Sequence, residues 1–142
     1  MSSIIASVME ALAFGLKFDR VMLLFSDPNE TLLYGKMSLG ESFGVNPTTF
    51  SRPITRGSPD PTPESRAFFE GSVEVFGDAI FSDGWPFAAV PIGASSGAIG
   101  LLYADMVEAK SKDPQPLSEG ALVGLNMLAD LLDKALQLNS DD

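Results

Sequence analysis

Two nearly continuous apolar runs stand out along the chain, Phe87 to Ile92 and Ala98 to Ala104. A Gly/Ser turn separates them, and Pro86, Gly93, Gly97 and Asp105 bound them. Each is the length of a buried strand and too short for an ordinary helix. Neither alternates apolar with polar positions, so both faces of this hairpin are expected to be covered, as in the central pair of a sheet. Gly100, inside the second run, marks a bulge or a close backbone approach. Upstream, Arg20 to Phe25 predicts a first strand, ended by the turn residues Ser26-Asp27-Pro28-Asn29. Thr31 to Leu39 predicts its hairpin partner, with Leu33, Gly35, Met37 and Leu39 on one face.

Helical spacing opens and closes the chain. Ile4, Ile5, Val8, Leu12 and Leu16 predict an amphipathic helix from about Ser3 to Leu16, with Met9 and Ala13 widening its stripe. The last helix is predicted from about Ser118 to Leu138 and carries two stripes. Leu117, Ala121, Leu125, Leu128, Leu132 and Ala135 form one; Val123, Met127, Leu131 and Leu138 form the other. A helix lying on a sheet needs only one. The second is expected to be buried by the first helix or by another copy of the chain. At about 1.5 Å per residue the helix is long enough to carry a parallel helical dimer. The predicted dimer face is therefore Val123, Met127, Leu131 and Leu138, together with Ile4 and Val8 of the first helix.

Between Gly40 and Gly84 the texture changes: glycine and proline are frequent, and phenylalanines are scattered among them. Phe50 to Ile54 predicts a short edge strand, where Pro53 is tolerable. Thr62-Pro63-Glu64 is a helix start, with a capping hydroxyl, proline in the first position and an acid at the positive end of the dipole. That helix is expected to stop at Gly71, and Ser72 to Phe76 predicts another brief strand. Rings on an irregular segment have something to cover. In one reading they roof a ligand pocket formed by Phe43, Phe50, Arg52, Phe68, Phe76, Phe81, Trp85 and Phe87. In the other they seal the second face of the sheet. Arg52, Arg56, Arg66, Ser82 and Asp83 are the polar candidates for the first reading, although residues of these types are more often solvated surface residues.

Composition narrows the chemistry. At 142 residues the chain is long enough for one domain with a single sizeable core. It has no cysteine, so disulfides, thiolate nucleophiles and structural zinc sites are excluded. It has no histidine, the side chain that titrates nearest neutrality and the commonest metal ligand. No metal and no cofactor are expected. A net charge of −10 without a basic patch argues against nucleic acid and anionic membranes as partners. No apolar run approaches the roughly 18–20 residues that span a bilayer. The opening residues lack the basic start of a secretion signal, so a cytoplasmic protein is expected.

Three local patterns carry no chemistry. Gly93-Ala94-Ser95-Ser96-Gly97 matches the G-x-S-x-G of serine hydrolases, but it joins two strands and the chain has no histidine to take the serine proton. Asp27 and Glu30 are not followed by the glycine and glutamate of a calcium loop. Asp78 and Asp83 are expected to serve loop hydrogen bonds rather than acid–base work. Asp105 is expected to fasten the following loop by accepting backbone N–H bonds.

Phe87-Ala88-Ala89-Val90-Pro91-Ile92, a short turn, then Ile99-Gly100-Leu101-Leu102-Tyr103-Ala104-Asp105 resembles the closing hairpin of GAF domains. Gly15-Leu16-Lys17-Phe18-Asp19-Arg20-Val21 followed by Ser26-Asp27-Pro28 resembles that family's first strand and turn, and Ser38-Leu39-Gly40 the end of its second strand. The resemblance runs from about Ala6 to Gln137 and is greatest to the GAF-like domain of bacterial HDOD-type regulatory proteins. It implies an α+β, GAF/PAS-like fold: an antiparallel sheet of five to six strands, terminal helices on one face, loops and a short helix on the other. Members that bind bilins or reduce methionine sulfoxide use cysteines, and haem-binding ones usually a histidine; this chain has neither. The Asn-Lys…Phe…Asp-Glu pattern of cyclic-nucleotide-binding members is also missing. The resemblance thus implies a non-catalytic signalling domain. It would bind a small molecule non-covalently under its loops and signal through a homodimer of terminal helices. The alternative is a degenerate domain that only dimerises or docks a partner protein.

Overall fold

The computed structural model describes the backbone of residues 2–93 and 97–140, with side chains over 3–93 and 97–135. Among them is one antiparallel sheet in the order β3 (Ser51–Pro53), β2 (Leu32–Gly40), β1 (Arg20–Ser26), β5 (Gly100–Val107), β4 (Gly84–Ile92). Because side chains alternate along a strand, the residues divide by parity. Met22, Leu24, Leu101, Tyr103, Phe87 and Ala89 face one side; Val21, Leu23, Leu102, Ala104, Ala88, Val90 and Ile92 face the other. The runs look continuous in sequence because both sides are buried. One side packs under α1 (Ser2–Glu10), the turn that follows it and α3 (Glu119–Ser140), which insert Ile5, Val8 and Met9, then Leu12, then Leu125 and Leu132. The other lies under α2 (Pro63–Glu70) and the long loops. The α+β architecture and the placement of the helices are as expected.

Local chemistry accounts for most element ends. The Thr62 hydroxyl accepts the Ser65 N–H at 3.3 Å, Pro63 opens α2, and Gly71 closes it at φ 68° in the left-handed region. Ser118 caps α3 by accepting the Ala121 N–H at 3.1 Å. Asp27 accepts the N–H groups of Leu32 and Thr31 at 2.9 and 2.7 Å, which makes the β1–β2 connection a side-chain-braced turn. The Leu32 N–H, then the Thr31 hydroxyl, holds its carboxyl below the usual range.

Several expectations are corrected. The closing hairpin is not the central pair: β1 is central and β4 lies at the edge. Pro86 and Pro91, which donate no N–H, are at home there. Ser72 to Phe76 makes a single bridge rather than a strand, with Glu74 and Ala89 exchanging bonds of 3.0 and 2.8 Å. β2 does not keep one apolar face. Its register with β1 passes from Leu23 opposite Met37 to Leu24 opposite Gly35, so Lys36 is an inserted bulge residue. Leu33 therefore enters the loop-side core while Leu39 packs on the helix side, and Met37 is 48% exposed. The edge strand shortens to three residues. The first helix is α-helical only to Glu10 and continues as a π-helical turn over Ala11–Gly15, closed by Leu16 N–H to Ala11 O at 2.9 Å. Gly100 marks a close approach: a Cβ there would run into the Leu24 carbonyl. Ala94, Ser95 and Ser96 of the hairpin turn lie outside the described residues.

Candidate functional site

Arg20 and Asp105 are direct cross-strand partners on β1 and β5, and both point to the loop side. Their side chains are 2% and 0% exposed. The guanidinium grips the carboxylate with two bonds, Nε to Oδ1 at 2.7 Å and Nη2 to Oδ2 at 2.8 Å, and the Tyr103 hydroxyl donates to Oδ2 at 2.6 Å. From the loop ahead of β4, Asp83 reaches the outer edge of the same guanidinium, at 2.9 Å from Nη2 and 3.3 Å from Nη1. Phe43 and Phe81 lie against Arg20, their ring centroids 4.7 and 5.6 Å from Cζ. The result is a buried polar knot inside an aromatic shell.

The electrostatics follow from this packing. Burial works against the Arg20 charge, yet the hydrogen bonds it donates to Asp105 and Asp83 outweigh it and push the guanidinium further up. Burial holds the Asp105 carboxyl above its usual range, opposed by Arg20 and Tyr103. Asp83, largely solvated, is held below it by its bond to Arg20. Burial also raises the Tyr103 phenol, followed by the nearby Asp105 charge, so the phenol stays protonated and donating. Asp105 thus does not fasten the following loop, as expected from sequence. That task falls to Asp19, which accepts the Val107 N–H at 2.7 Å.

The structure brings together most of the predicted ligand residues. Phe43, Phe68 and Phe87 are buried on the loop side, and Phe50, Phe81 and Trp85 pack against them. Phe81 lies 4.6 Å from Phe43, 5.2 Å from Phe50 and 5.8 Å from Tyr103, and Phe87 lies 6.2 Å from Tyr103. The rings fill the space between loops and sheet, which is the sealed arrangement. Phe76 does not join them: it is 77% exposed and lines a small cleft with Pro116 and Leu122 near α3. Arg52 is tied to buried Glu64 by a 2.7 Å bond. Arg66 pairs with Glu74 and donates to the Pro61 and Phe76 carbonyls. Arg56 reaches Glu30 at 3.6 Å and covers the Phe69 ring.

Of the predicted dimer residues, Val123, Met127 and Leu131 are 60%, 68% and 47% exposed. Beside them runs a groove of about 320 Å³ lined by Ala11, Gly15, Leu16, Gly124, Met127 and Leu128. Phe14, on the π-helical turn, is 70% exposed. Val8 corrects the prediction: it is 1% exposed because α1 turns its 5-8-9 edge onto the sheet, so it is not surface. Ile4 is half-buried against the same core, and the Leu138 side chain lies outside the described residues. Sequence reasoning missed Arg20 and Tyr103. Strand parity was the available signal, since both share the side of Met22 and Leu101 and are therefore buried.

A comparison with solved structures decides the architecture. The second GAF domain of DevS from Mycobacterium smegmatis superposes with a TM-score of 0.75 at 17% identity, over 99% of this chain and 95% of that one. The fold is that of a GAF domain. A segment of a methyl-accepting chemotaxis protein matches with a TM-score of 0.67 at 20% identity, over 95% and 93% of the two chains. A free methionine-R-sulfoxide reductase from Neisseria meningitidis matches with a TM-score of 0.62 at 20% identity, over 94% of this chain and 78% of its own. No protein-family model matches the chain, and no curated protein sequence is significantly similar to it. Within the GAF fold, the knot of Arg20, Asp83, Tyr103 and Asp105 sits where loops and sheet meet. Among the described residues, no helix is long and apolar enough to cross a membrane.

Proposed function

We propose that this chain is a non-catalytic GAF-type signalling domain that works as a homodimer through the outer face of α3. The observation that carries this reading is the run of exposed apolar side chains, Val123, Met127 and Leu131, beside an apolar groove. The face has knob and hole side by side, Phe14 and Met127 next to a floor of Gly15 and Gly124. A two-fold interface needs that self-complementarity, because each copy must offer what the other receives. Two copies at −10 each repel, so a contact region of little net charge is the one that can close; on this face the Asp130 carboxylate, beside Val123 and Met127, is paired with Lys134 at 3.0 Å. The signalling role is supported by the methyl-accepting chemotaxis protein and the cyanobacteriochrome photoreceptor among the structural neighbours. The resemblance to HDOD-attached domains supports a cytoplasmic, bacterial setting. The reductase neighbour does not extend to catalysis here, because this chain has neither the cysteines that the resemblance requires nor a histidine. Sedimentation of the protein and of Leu131→Glu tests the reading. A dimer that the glutamate converts to monomer is expected; a dimer indifferent to it, or a wild-type monomer at tens of micromolar, overturns it.

A second reading adds sensing to the same module: a small molecule held non-covalently beneath the loops, without cofactor or metal. It is favoured by Asp83, a solvated loop residue whose carboxylate is spent on a buried arginine. A ligand there would act only through different affinity for two arrangements of the loops or of the dimer.

A further inference from the structure

We propose that Asp83 and Phe81 form a built-in occupant of a binding site, and that a small aromatic carboxylate takes their place when the loop between Gly77 and Gly84 lifts. This deepens the sensory reading above and rests on it.

A buried arginine needs one counter-ion, and Asp105 supplies it through both arms of the guanidinium. Asp83 brings a second negative charge to one positive one, so it is not needed to neutralise Arg20. What it does is occupy the remaining donors along the Nη1–Nη2 edge, at 3.3 and 2.9 Å, as a free carboxylate would. Its own side chain is 61% exposed, so leaving that edge returns it to water at little cost. Asp105, by contrast, is buried and cannot leave.

Phe81, two residues earlier, supplies the ring. It lies over Arg20 and within 4.6–5.8 Å of the Phe43, Phe50 and Tyr103 rings. Lifting this one loop therefore removes a carboxylate and an aromatic ring together. The vacated space would have a guanidinium edge at one end and three aromatic walls around it. That pairing, a bidentate cation beside an apolar slot, defines the ligand class. The loop runs between two glycines, with Ala79, Ile80 and Phe81 packed on the core between them. Gly77 takes φ 105°, a conformation open to glycine. At Gly84 the chain passes so close to the ion pair that a Cβ would collide with the Asp105 carboxylate. Two backbone bonds close the far end of the loop, Glu108 N–H to the Asp83 carbonyl at 2.9 Å and Gly84 N–H to the Phe81 carbonyl at 3.0 Å, and these are the bonds that lifting would open.

The test uses phenylacetate as probe, with acetate and benzyl alcohol at matched ionic strength as its two halves. The sole tryptophan, Trp85, stands beside Gly84 and reports the loop by fluorescence. Removing the internal competitor raises the competent fraction. Asp83→Ala is thus expected to bind phenylacetate at least about tenfold more tightly than wild type, and Phe81→Ala/Asp83→Ala more tightly again. Each half-probe should bind far more weakly than the whole. The Arg20 Nε–H resonance of Asp83→Ala should shift on titration, a readout that needs no Arg20 variant to fold. Folded variants that bind phenylacetate no better than wild type, or bind it without moving the Arg20 signal, overturn the proposal. A thermal-shift screen of metabolites on the wild type separates the two ideas. A metabolite that stabilises the wild type, while phenylacetate fails on the variants, sinks this inference and leaves sensing standing; no stabilisation by any compound sinks both.

Discussion

Replacing Asp105 with asparagine tests the physical core of this account. The carboxylate receives three hydrogen bonds, at 2.7 and 2.8 Å from Arg20 and 2.6 Å from Tyr103. Asparagine keeps the volume but turns one oxygen into a donor that faces donors, and it removes the counter-charge. Arg20 is 2% exposed, so water cannot take over. Removing one member of a buried pair costs about 3–5 kcal/mol. Asp83 still holds the outer Nη edge, which places the expected loss at the lower end, about 3 kcal/mol. With a urea m-value of about 2 kcal/mol/M, the midpoint should fall by about 1.5 M. Asp83→Asn removes an exposed partner instead and should cost under about 1 kcal/mol, or less than about 0.5 M. Both are read by urea unfolding followed by circular dichroism and Trp85 fluorescence, at one fixed protein concentration because the proposed dimerisation would contribute to apparent stability. Arg20→Met/Asp105→Leu/Tyr103→Phe, which also removes the hydroxyl that donates to Asp105, should come out near neutral or more stable, since apolar groups of similar volume avoid the desolvation cost. Equal midpoint losses for Asp105→Asn and Asp83→Asn would refute the argument that burial makes Asp105 the true counter-ion.

Three further outcomes are expected. Leu125→Ala, at a fully buried position, should cost about 2–5 kcal/mol, whereas exposed Val123→Ala should change monomer stability by no more than about 0.5 kcal/mol; urea midpoints under monomeric conditions compare them. Gly100→Ala should cost about 1–3 kcal/mol by forcing β1 and β5 apart at the Leu24 carbonyl, and amide exchange should rise along that strand pair rather than across the helices. On acidification, the Asp83 clasp should hold from neutrality down to about pH 4 and then open. Its carboxyl is depressed in the fold, so its stabilisation is present above the ordinary value of about 3.9 and lost as pH falls through the lower folded value. Asp105, raised by burial, contributes with the opposite sign and softens the loss. A Trp85 fluorescence transition between pH 6 and 7 would contradict this.

The sequence by itself determined whatever depends on neighbours along the chain. Thr62-Pro63 and Gly71 bracket α2 because a cap, a ring-fixed φ and a left-handed stop act within one turn. The Ser26-to-Asn29 turn, the two long apolar strands and the stripes of α3 are likewise local patterns of period or punctuation. What the tertiary structure decided involves partners far apart in sequence. The Lys36 bulge, which sends Leu33 and Leu39 to opposite sides of the sheet, exists only in the pairing of β2 with β1. That β4 is an edge, and that Glu74 rather than a full strand meets it, depends on strand order. Arg20 finds Asp105 across 85 positions and Asp83 across 63. A charged residue in an apolar strand shows in the sequence that something must compensate it; only the register of two distant strands shows which carboxylate is buried with it and which merely visits from solvent.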